Sequence, residues 1–302
     1  MTKEIWEEHD RLYHYTGESG LFGILESQCL HATHYSALND ATEIYQARDK
    51  LRSTFDAMVR RMVSGAHELT KVSSADGWAT TWTHEFIELL YGLFRKELLE
   101  AYIVSMCGHP KGSYESANGL LSQWRGYGGK TAYAIVFRTK ELVDLLGTTS
   151  DSIEPFFGLC GNVFYENNDD NSFVKEFDNL LRAAQKDIPN WINKKIIPLD
   201  LLKAFMECVV RYKHQAFREE QEVRIVFFPV PESPVPQRCT RPDFTPFVRI
   251  CDAGSKGAEL PIETILVGPS ADSDVRRDAI LRYVKMRKLQ IEVRCSGTPL
   301  RQ

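Results

Sequence analysis

The order of its apolar segments is the feature of this 302-residue sequence that most constrains the fold. Short segments with strand character are mixed irregularly with amphipathic helical segments, and the strongest strand pattern runs from Gln221 to Val230. A doubly wound sheet needs regular alternation of strands and helices, which this order lacks. The sequence therefore predicts one α+β domain over residues 1–302, with a helical insertion at residues 41–100, where apolar side chains recur every three or four residues.

The first predicted strand, Leu-Tyr-His-Tyr-Thr, carries the first candidate site. His14 and Thr16 lie two residues apart, with Tyr15 between them, so both side chains leave an extended strand on the same face. An imidazole and a hydroxyl on one face can both hydrogen-bond a polyhydroxylated ligand such as a ribose. Further along the chain, Asn39 and Asp40 add polar groups to the same predicted site. The alternative is a strand histidine that serves only as a core or edge residue.

A short glycine-rich segment in the middle of the chain carries a second group of candidates. Residues 123–129 are Gln-Trp-Arg-Gly-Tyr-Gly-Gly, which places two aromatic side chains and a guanidinium close together. The rings of Trp124 and Tyr127 can stack on a flat ring such as nicotinamide or adenine, and Arg125 can hold a phosphate. The alternative is the end of an amphipathic helix whose tryptophan lies in the core, and these residues favour neither interpretation.

Two carboxylates introduce the strongest predicted strand. Glu220 and Glu222 share one strand face at a spacing of two, and Arg224 follows as a further candidate for ligand binding. One carboxylate can stabilise an oxocarbenium-like centre or accept a hydrogen bond from a ribose hydroxyl, while its neighbour positions a nucleophile. A solvated run of charges before a strand is the ordinary alternative.

Charge and cysteine content narrow the classes of function. The net charge of −4 argues against nucleic-acid binding through bulk charge, while the basic stretch at residues 276–288 leaves a local basic face open. Seven cysteines without a Cys-x-x-Cys pair indicate free thiols in a reducing compartment. The acidic N-terminus and the lack of a long apolar segment predict a cytoplasmic protein without a membrane segment.

Metal and phosphate motifs are weak in this sequence. His31 and His34 have a usable pair spacing but lack a cysteine or acidic partner at a zinc-like distance, so we predict no metal site. A strand, a turn and a helix at residues 262–288 present a helix N-terminus, which can bind phosphate. Asp272 and Asp274 occupy this end of the helix and favour simple capping instead.

The motifs taken in order resemble a prokaryotic family known only as domain of unknown function 2971. The resemblance spans nearly the whole chain, although Cys107 stands where the family has a serine and Phe217 where it has a tryptophan. The matching segments are Tyr13–Thr16, Leu38–Glu43, Ser105–Cys107, Gln123–Tyr127, Ala132–Phe137, Lys213–Arg224, Ile262–Pro269 and Ser296–Arg301.

A weaker similarity links the chain to ADP-ribosyltransferases of the His-Tyr-Glu kind, including DarT-like toxins and tRNA 2′-phosphotransferases. It rests on the opening His-x-Thr strand, the aromatic middle segment and the late strand that begins at a glutamate. This resemblance implies an ADP-ribosyltransferase-like split mixed sheet with NAD as the substrate. By position, His14 and Thr16 hold NAD, Tyr127 or Tyr133 stacks on nicotinamide, and Glu222 is catalytic. Glu220 completes a Glu-x-Glu of the type found in many such transferases.

The second resemblance implies a specific function. We expect an enzyme that cleaves the nicotinamide–ribose bond of NAD and transfers ADP-ribose to a macromolecule (nucleic acid or protein) or to water. Such activities fit bacterial toxins and anti-phage effectors, for which a regulatory partner or antitoxin is expected. A non-catalytic module that binds a nucleotide or a nucleic-acid end is the alternative. A metal-dependent nuclease is disfavoured because no lysine or histidine lies suitably beside its candidate acids, which are Asp40, Glu43, Glu220 and Glu222.

Overall fold

The computed structural model describes residues 4–38, 101–128, 131–146, 155–165, 199–230 and 245–299, with a few isolated residues elsewhere. Asn39, Asp40 and almost all of the predicted insertion at residues 41–100 lie outside the described residues. The chain divides into two compact units. The first comprises Met1–His34, Tyr102–Asn162 and Arg218–Gln302, and the second comprises Tyr35–Ala101 and Val163–Phe217. The single domain over residues 1–302 stays a prediction.

The described elements mix helices and strands along the chain. The helices are α1 (Ile5–Glu8), α2 (Glu18–Ser27), α3 (Tyr114–Asn118), α4 (Leu121–Gly128), α5 (Thr139–Val143), α6 (Leu199–Arg211) and α7 (Ser273–Met286). The strands are β1 (Arg11–Thr16), β2 (Leu30–His34), β3 (Tyr102–Cys107), β4 (Tyr133–Arg138), β5 (Pro155–Asn162), β6 (Phe164–Tyr165), β7 (Tyr212–Lys213), β8 (Glu222–Pro229), β9 (Phe247–Ile250), β10 (Ile262–Val267) and β11 (Glu292–Cys295). Short 3₁₀ helices cover Tyr35–Ala37, Gln215–Glu220 and Gly254–Lys256.

An open, mixed nine-stranded sheet organises the first unit. One path through it runs β11-β10-β4-β1-β3-β2-β9, and β8 pairs with both β3 and β5. β10 and β11 are parallel, whereas the other pairs in this sheet are antiparallel. The α+β class predicted from the order of apolar segments is therefore confirmed, and the sheet is mixed.

The sheet is interrupted beside β1. β1 pairs with β4 over its whole length, but its pairing with β3 is confined to Tyr13 opposite Cys107. Nearer the start of β3, the same edge pairs with β2, where Thr33 lies opposite Ile103. Within these fully described strands, β3 residues 104–106 have no sheet partner on that side. Their backbone groups must be satisfied by something other than a strand, and His14 supplies one such partner.

Strand alternation gives the sheet two apolar faces. On the first face, Leu12, Ile135 and Val223 pack with buried residues of α2 and α7. On the second face, Tyr13 and Cys107 join a smaller core with a side chain of α4. Neighbouring residues of β1 thus contribute to opposite faces, as a period of two requires.

The second unit is described mainly around α6. Its helix buries an apolar side that includes Phe205, Met206 and Val209. β6 and β7 form a short parallel pair in the same unit, in which Phe164 lies opposite Tyr212. Across the described residues of both units, no helix is long and apolar enough to cross a membrane.

Candidate functional site

His14 lies where the sheet opens between β1 and β3. Its Nδ1 lies 3.0 Å from the carbonyl oxygen of Ser105, and because a carbonyl only accepts, Nδ1 carries the proton. Burial lowers the pKa of His14 against the opposing effect of that hydrogen bond, so the ring is neutral near pH 7. In the neutral ring Nε2 is then an acceptor, and it has no hydrogen-bond partner among the described residues. The ring is thus fixed in the tautomer that accepts from a ligand hydroxyl.

Thr16 shares the first face of the sheet with His14, and α2 packs closely against it. A β-carbon at Gly20 would overlap with the Thr16 hydroxyl oxygen, so only glycine lets the first turn of α2 approach this closely. The hydroxyl makes no hydrogen bond with any described residue. We call His14, Thr16 and the adjoining turn of α2 the β1-end site.

The contact at Gly20 gives a prediction with an internal control. Gly20→Ala is expected to lower the free energy of unfolding by about 1–3 kcal/mol and to move the Thr16 hydroxyl, because the new methyl overpacks the site. Gly23 lies on the same helix with nothing within 4 Å of its missing β-carbon, so Gly23→Ala is expected to stabilise by about 0.5–1 kcal/mol. Urea denaturation of both variants checks this, and equal effects would contradict the close packing.

The described side chains of the segment 123–127 are divided between core and surface. Trp124 is 1% exposed, packs edge to face on Tyr15 with the ring centres 5.0 Å apart, and donates Nε1–H to the carbonyl of Asn118. Of the two alternatives given by the sequence, Trp124 therefore follows the one in which the tryptophan lies in the core. Arg125 is exposed, and Tyr127 is 45% exposed. The backbone carbonyl of Tyr127 lies beside Gly17, so the structure brings this tyrosine to the end of β1.

Glu222 and Arg224 form a buried ion pair on the second face of the sheet. Each residue is 4% exposed, and Nε of Arg224 lies 2.9 Å from Oε1 of Glu222, with a second contact of 3.4 Å from Nη2 to Oε2. Glu220 does not share a strand face with Glu222, so that prediction is wrong. β8 begins only at Glu222, and Glu220 ends the preceding 3₁₀ helix as a half-buried residue.

The structure brings the strands of His14 and Glu222 together, but not their side chains. Tyr13 lies opposite Cys107, and Cys107 lies opposite Glu222, so two strand spacings, about 10 Å, separate the Tyr13 and Glu222 backbones. Tyr13, Cys107 and Glu222 point to the second face, whereas His14, in register with Ile135, points to the first face. The alternation therefore aims the imidazole and this carboxylate in opposite directions.

A buried network that sequence reasoning missed lies behind β1 on the second face. Tyr15 accepts a hydrogen bond from the Leu120 backbone N–H at 2.7 Å and lies 2.9 Å from Nε2 of His109. Burial raises the pKa of Tyr15 well above its usual range, so the hydroxyl stays protonated and donates to His109. His109 follows directly after an apolar strand in a loop, and no spacing in the sequence links it to Tyr15.

The burial of His109 makes stability depend on pH. Desolvation lowers its pKa from 6.5 to about 4, so below pH 6.5 the unfolded chain binds a proton that the folded chain does not. Protonation then favours unfolding, and this stability is present above pH 6.5 and lost as the pH falls. Lowering the pH from 7 to 5 is expected to lower the free energy of unfolding by about 2 kcal/mol through this residue.

The matched variant is His109→Gln, which keeps an acceptor for Tyr15 but does not titrate. The difference in urea-derived stability between pH 7 and pH 5 is expected to shrink by most of that amount in the variant. An unchanged difference would show that His109 is not held neutral by burial.

One known protein family matches part of the chain. Residues 123–225 match a family described as a protein of unknown function, DUF2971. This stretch includes Trp124, Tyr127 and Glu222 but not His14. The match supports the resemblance to that family. Neither a curated protein nor a solved structure matches the chain, and among the described residues no group of histidine, cysteine and acidic side chains is arranged to hold a metal ion.

Proposed function

We propose that this protein consumes NAD, cleaving the nicotinamide–ribose bond and transferring ADP-ribose to a macromolecule or to water. The observation that carries the proposal is the fixed tautomer of His14, which offers Nε2 as an acceptor beside the Thr16 hydroxyl. A ribose presents adjacent hydroxyl groups that can donate to the imidazole and exchange hydrogen bonds with the threonine. Tyr127, exposed near Gly17, supplies a ring for the nicotinamide.

Cleavage also needs a negative group near the ribose, because positive charge develops on the sugar as nicotinamide leaves. Glu222 and Glu220 are the two candidates. Glu222 is held by Arg224 on the second face. Glu220 lies in the turn before β8, so the strand alternation does not fix its direction. Separate Glu220→Gln and Glu222→Gln variants test which carboxylate supplies the negative charge, because only the loss of that one abolishes cleavage of NAD in a folded protein.

A non-catalytic binding module is the second candidate. The observation that favours it is the opposite orientation of His14 and Glu222, because a site without a nearby carboxylate binds a nucleotide but does not stabilise the developing charge. In that case the β1-end site recognises a ribose and the protein acts as a sensor.

Calorimetry with a carbocyclic NAD analogue that cannot be cleaved, followed by incubation with NAD, separates the two candidates. Saturable binding of the analogue with turnover of NAD supports the enzyme, and the ratio of free ADP-ribose to nicotinamide divides hydrolysis from transfer. Binding without product favours the sensor. No binding of either molecule would remove both proposals. The toxin or anti-phage setting, and a regulatory partner or antitoxin, belong to the enzyme proposal.

A further inference from the structure

A small cavity lies on the second face of the sheet, beside the start of β1 and far along that strand from Thr16. Its volume is about 180 Å³. Drug-sized ligands occupy about 300–1,000 Å³, so this cavity suits a smaller molecule. Its walls come from β1, β10, β11 and the segment that follows β3, and most of its lining side chains are polar. We call it the β11 cavity, and its central residues are Arg11, Tyr13, His109, Thr264, Glu292 and Arg294.

A β-bulge on β10 turns an additional carboxylate toward the β11 cavity. Ile262 and Thr264 lie opposite consecutive residues of β4, so Glu263 between them is an extra residue in the pairing. Ile262 packs in the core of the first face, whereas Glu263 and Thr264 both line the cavity. Bulges redirect side chains and are common next to functional sites. The bulge therefore helps to build the polar wall of this cavity.

Ion pairs within the wall account for four of its six charged side chains. Nε and Nη2 of Arg11 donate to the two carboxylate oxygens of Glu263 at 2.9 and 2.7 Å. Nζ of Lys111 lies 3.0 Å from a carboxylate oxygen of Asp10. The two charged residues that remain are Glu292 and Arg294.

Glu292 and Arg294 face the cavity without an opposite charge. Arg294 is half-buried and makes no hydrogen bond or ion pair with any described residue. Its Nε is buried, but its two Nη groups are not, and the side chain lines the cavity. The carboxylate of Glu292 is exposed and accepts a hydrogen bond at 3.2 Å from the hydroxyl of Thr264. One accessible guanidinium and one accessible carboxylate are thus open to a ligand.

The same three residues occur on β8 with a different outcome. Both strands contain Glu-Val-Arg, at residues 222–224 and 292–294. On β8 the two charges are buried and bind each other at 2.9 Å. The spacing therefore permits direct pairing, yet Glu292 and Arg294 form no such pair. Because they share a strand face with about 7 Å between their α-carbons, a short molecule with both charges can bridge them.

We infer that the β11 cavity binds a free α-amino acid, with its carboxylate on Arg294 and its ammonium group on Glu292. A guanidinium binds a carboxylate through two parallel hydrogen bonds, and an ammonium group donates to a carboxylate. A zwitterion also leaves the balance of three cations and three carboxylates in the wall unchanged. A multiply charged anion such as phosphate would meet those carboxylates without enough cations to offset them.

This inference goes beyond the proposed function and does not depend on it. Arg11 and Tyr13 of the cavity leave β1 on the second face, whereas His14 and Thr16 of the β1-end site leave it on the first. The two sites are therefore separated by the sheet.

The neighbouring arginines of α7 differ from Arg294 because carboxylates already hold them. Asp272 lies at the N-cap of α7, but its side chain binds Arg276 at 3.2 Å and does not cap the helix, so the capping predicted for Asp272 is wrong. Arg277 pairs with two carboxylates of its own helix. Arg277→Gln is therefore the matched control for Arg294→Gln.

Titration calorimetry with each of the standard L-amino acids, at millimolar concentration, tests the inference without any turnover. Saturable binding of at least one amino acid is expected. Its N-acetyl derivative lacks the ammonium charge and its methyl ester lacks the carboxylate charge. Each derivative is expected to bind about 10- to 100-fold more weakly, as for the loss of hydrogen bonds to a charged group.

The variants assign the two charges of the amino acid to their partners. Arg294→Gln and Glu292→Gln are each expected to weaken its binding by about 10- to 100-fold, and Arg277→Gln is expected to leave it unchanged. The melting temperature of the free protein is expected to stay the same in Arg294→Gln, because this guanidinium has no partner in the fold.

Three results would overturn the inference. The first is that no standard amino acid binds saturably to the wild type. The second is wild-type affinity in folded Arg294→Gln. The third is an N-acetyl derivative, or inorganic phosphate, that binds as tightly as the amino acid, because the cavity would then accept anions in general.

Discussion

Replacing Glu222 by glutamine is expected to lower the free energy of unfolding by about 3–5 kcal/mol, the cost of breaking a buried ion pair on one side. The carboxylate contacts Arg224 through two nitrogen–oxygen pairs, and both side chains are almost completely buried. A glutamine keeps the shape of the side chain but leaves the guanidinium charge in the sheet without this carboxylate. Urea denaturation at neutral pH measures the loss.

Two further variants make the Glu222 result specific. Glu222→Gln combined with Arg224→Met removes both charges and is expected to regain much of the lost stability. Glu220→Gln changes a half-buried carboxylate outside the strand and is expected to cost well under 1 kcal/mol, as surface substitutions usually do. A double variant as unstable as Glu222→Gln would contradict the ion-pair explanation. These stabilities also show under which conditions Glu222→Gln is folded. The activity of this variant must be measured under those conditions.

Replacing His14 by alanine is expected to lower kcat/KM for NAD by about 100-fold, the order seen when a substrate is misplaced by about 1 Å. The variant removes the Nε2 acceptor proposed to hold the ribose and also releases the carbonyl of Ser105. Activity of the wild type is expected to fall on acidification, because protonation converts the Nε2 acceptor into a donor. Since burial lowers the pKa of His14, this fall lies below the usual range of histidine.

The control for His14 is His31→Ala. His31 lies on β2, where its ring stacks on Phe247 at 4.6 Å, and the proposal gives it no contact with the ligand. Wild-type kinetics are expected in this variant. If His14→Ala keeps wild-type kcat/KM while folded, the β1-end site does not hold the substrate.

The sequence pattern predicted those strands and helices that are determined within one short segment of the chain. The strand expected from Gln221 to Val230 is β8, which runs from Glu222 to Pro229 and carries β-branched and aromatic residues on both faces, beside the Glu222 and Arg224 pair. The strand, turn and helix expected at residues 262–288 are β10 and α7. The placement of His14 and Thr16 on one face also follows from the period of two within one strand.

Such patterns could not predict the register in which strands far apart in the sequence pair with one another. A shift of one residue in the pairing of β3 with β8 alone would move Glu222 to the face of His14, and nothing in either segment fixes that register. Whether Trp124 is core or exposed likewise depends on contacts with Tyr15, more than one hundred residues earlier in the chain. The network of Tyr15 and His109 was missed for the same reason.

The most direct test of the proposed function is release of nicotinamide from NAD by the purified protein, followed by chromatography beside His14→Ala. We expect release that increases with time and protein concentration in the wild type and is lost in the folded variant. Release at the background rate of NAD alone, both with purified protein and with cell lysate supplying acceptors, would contradict it.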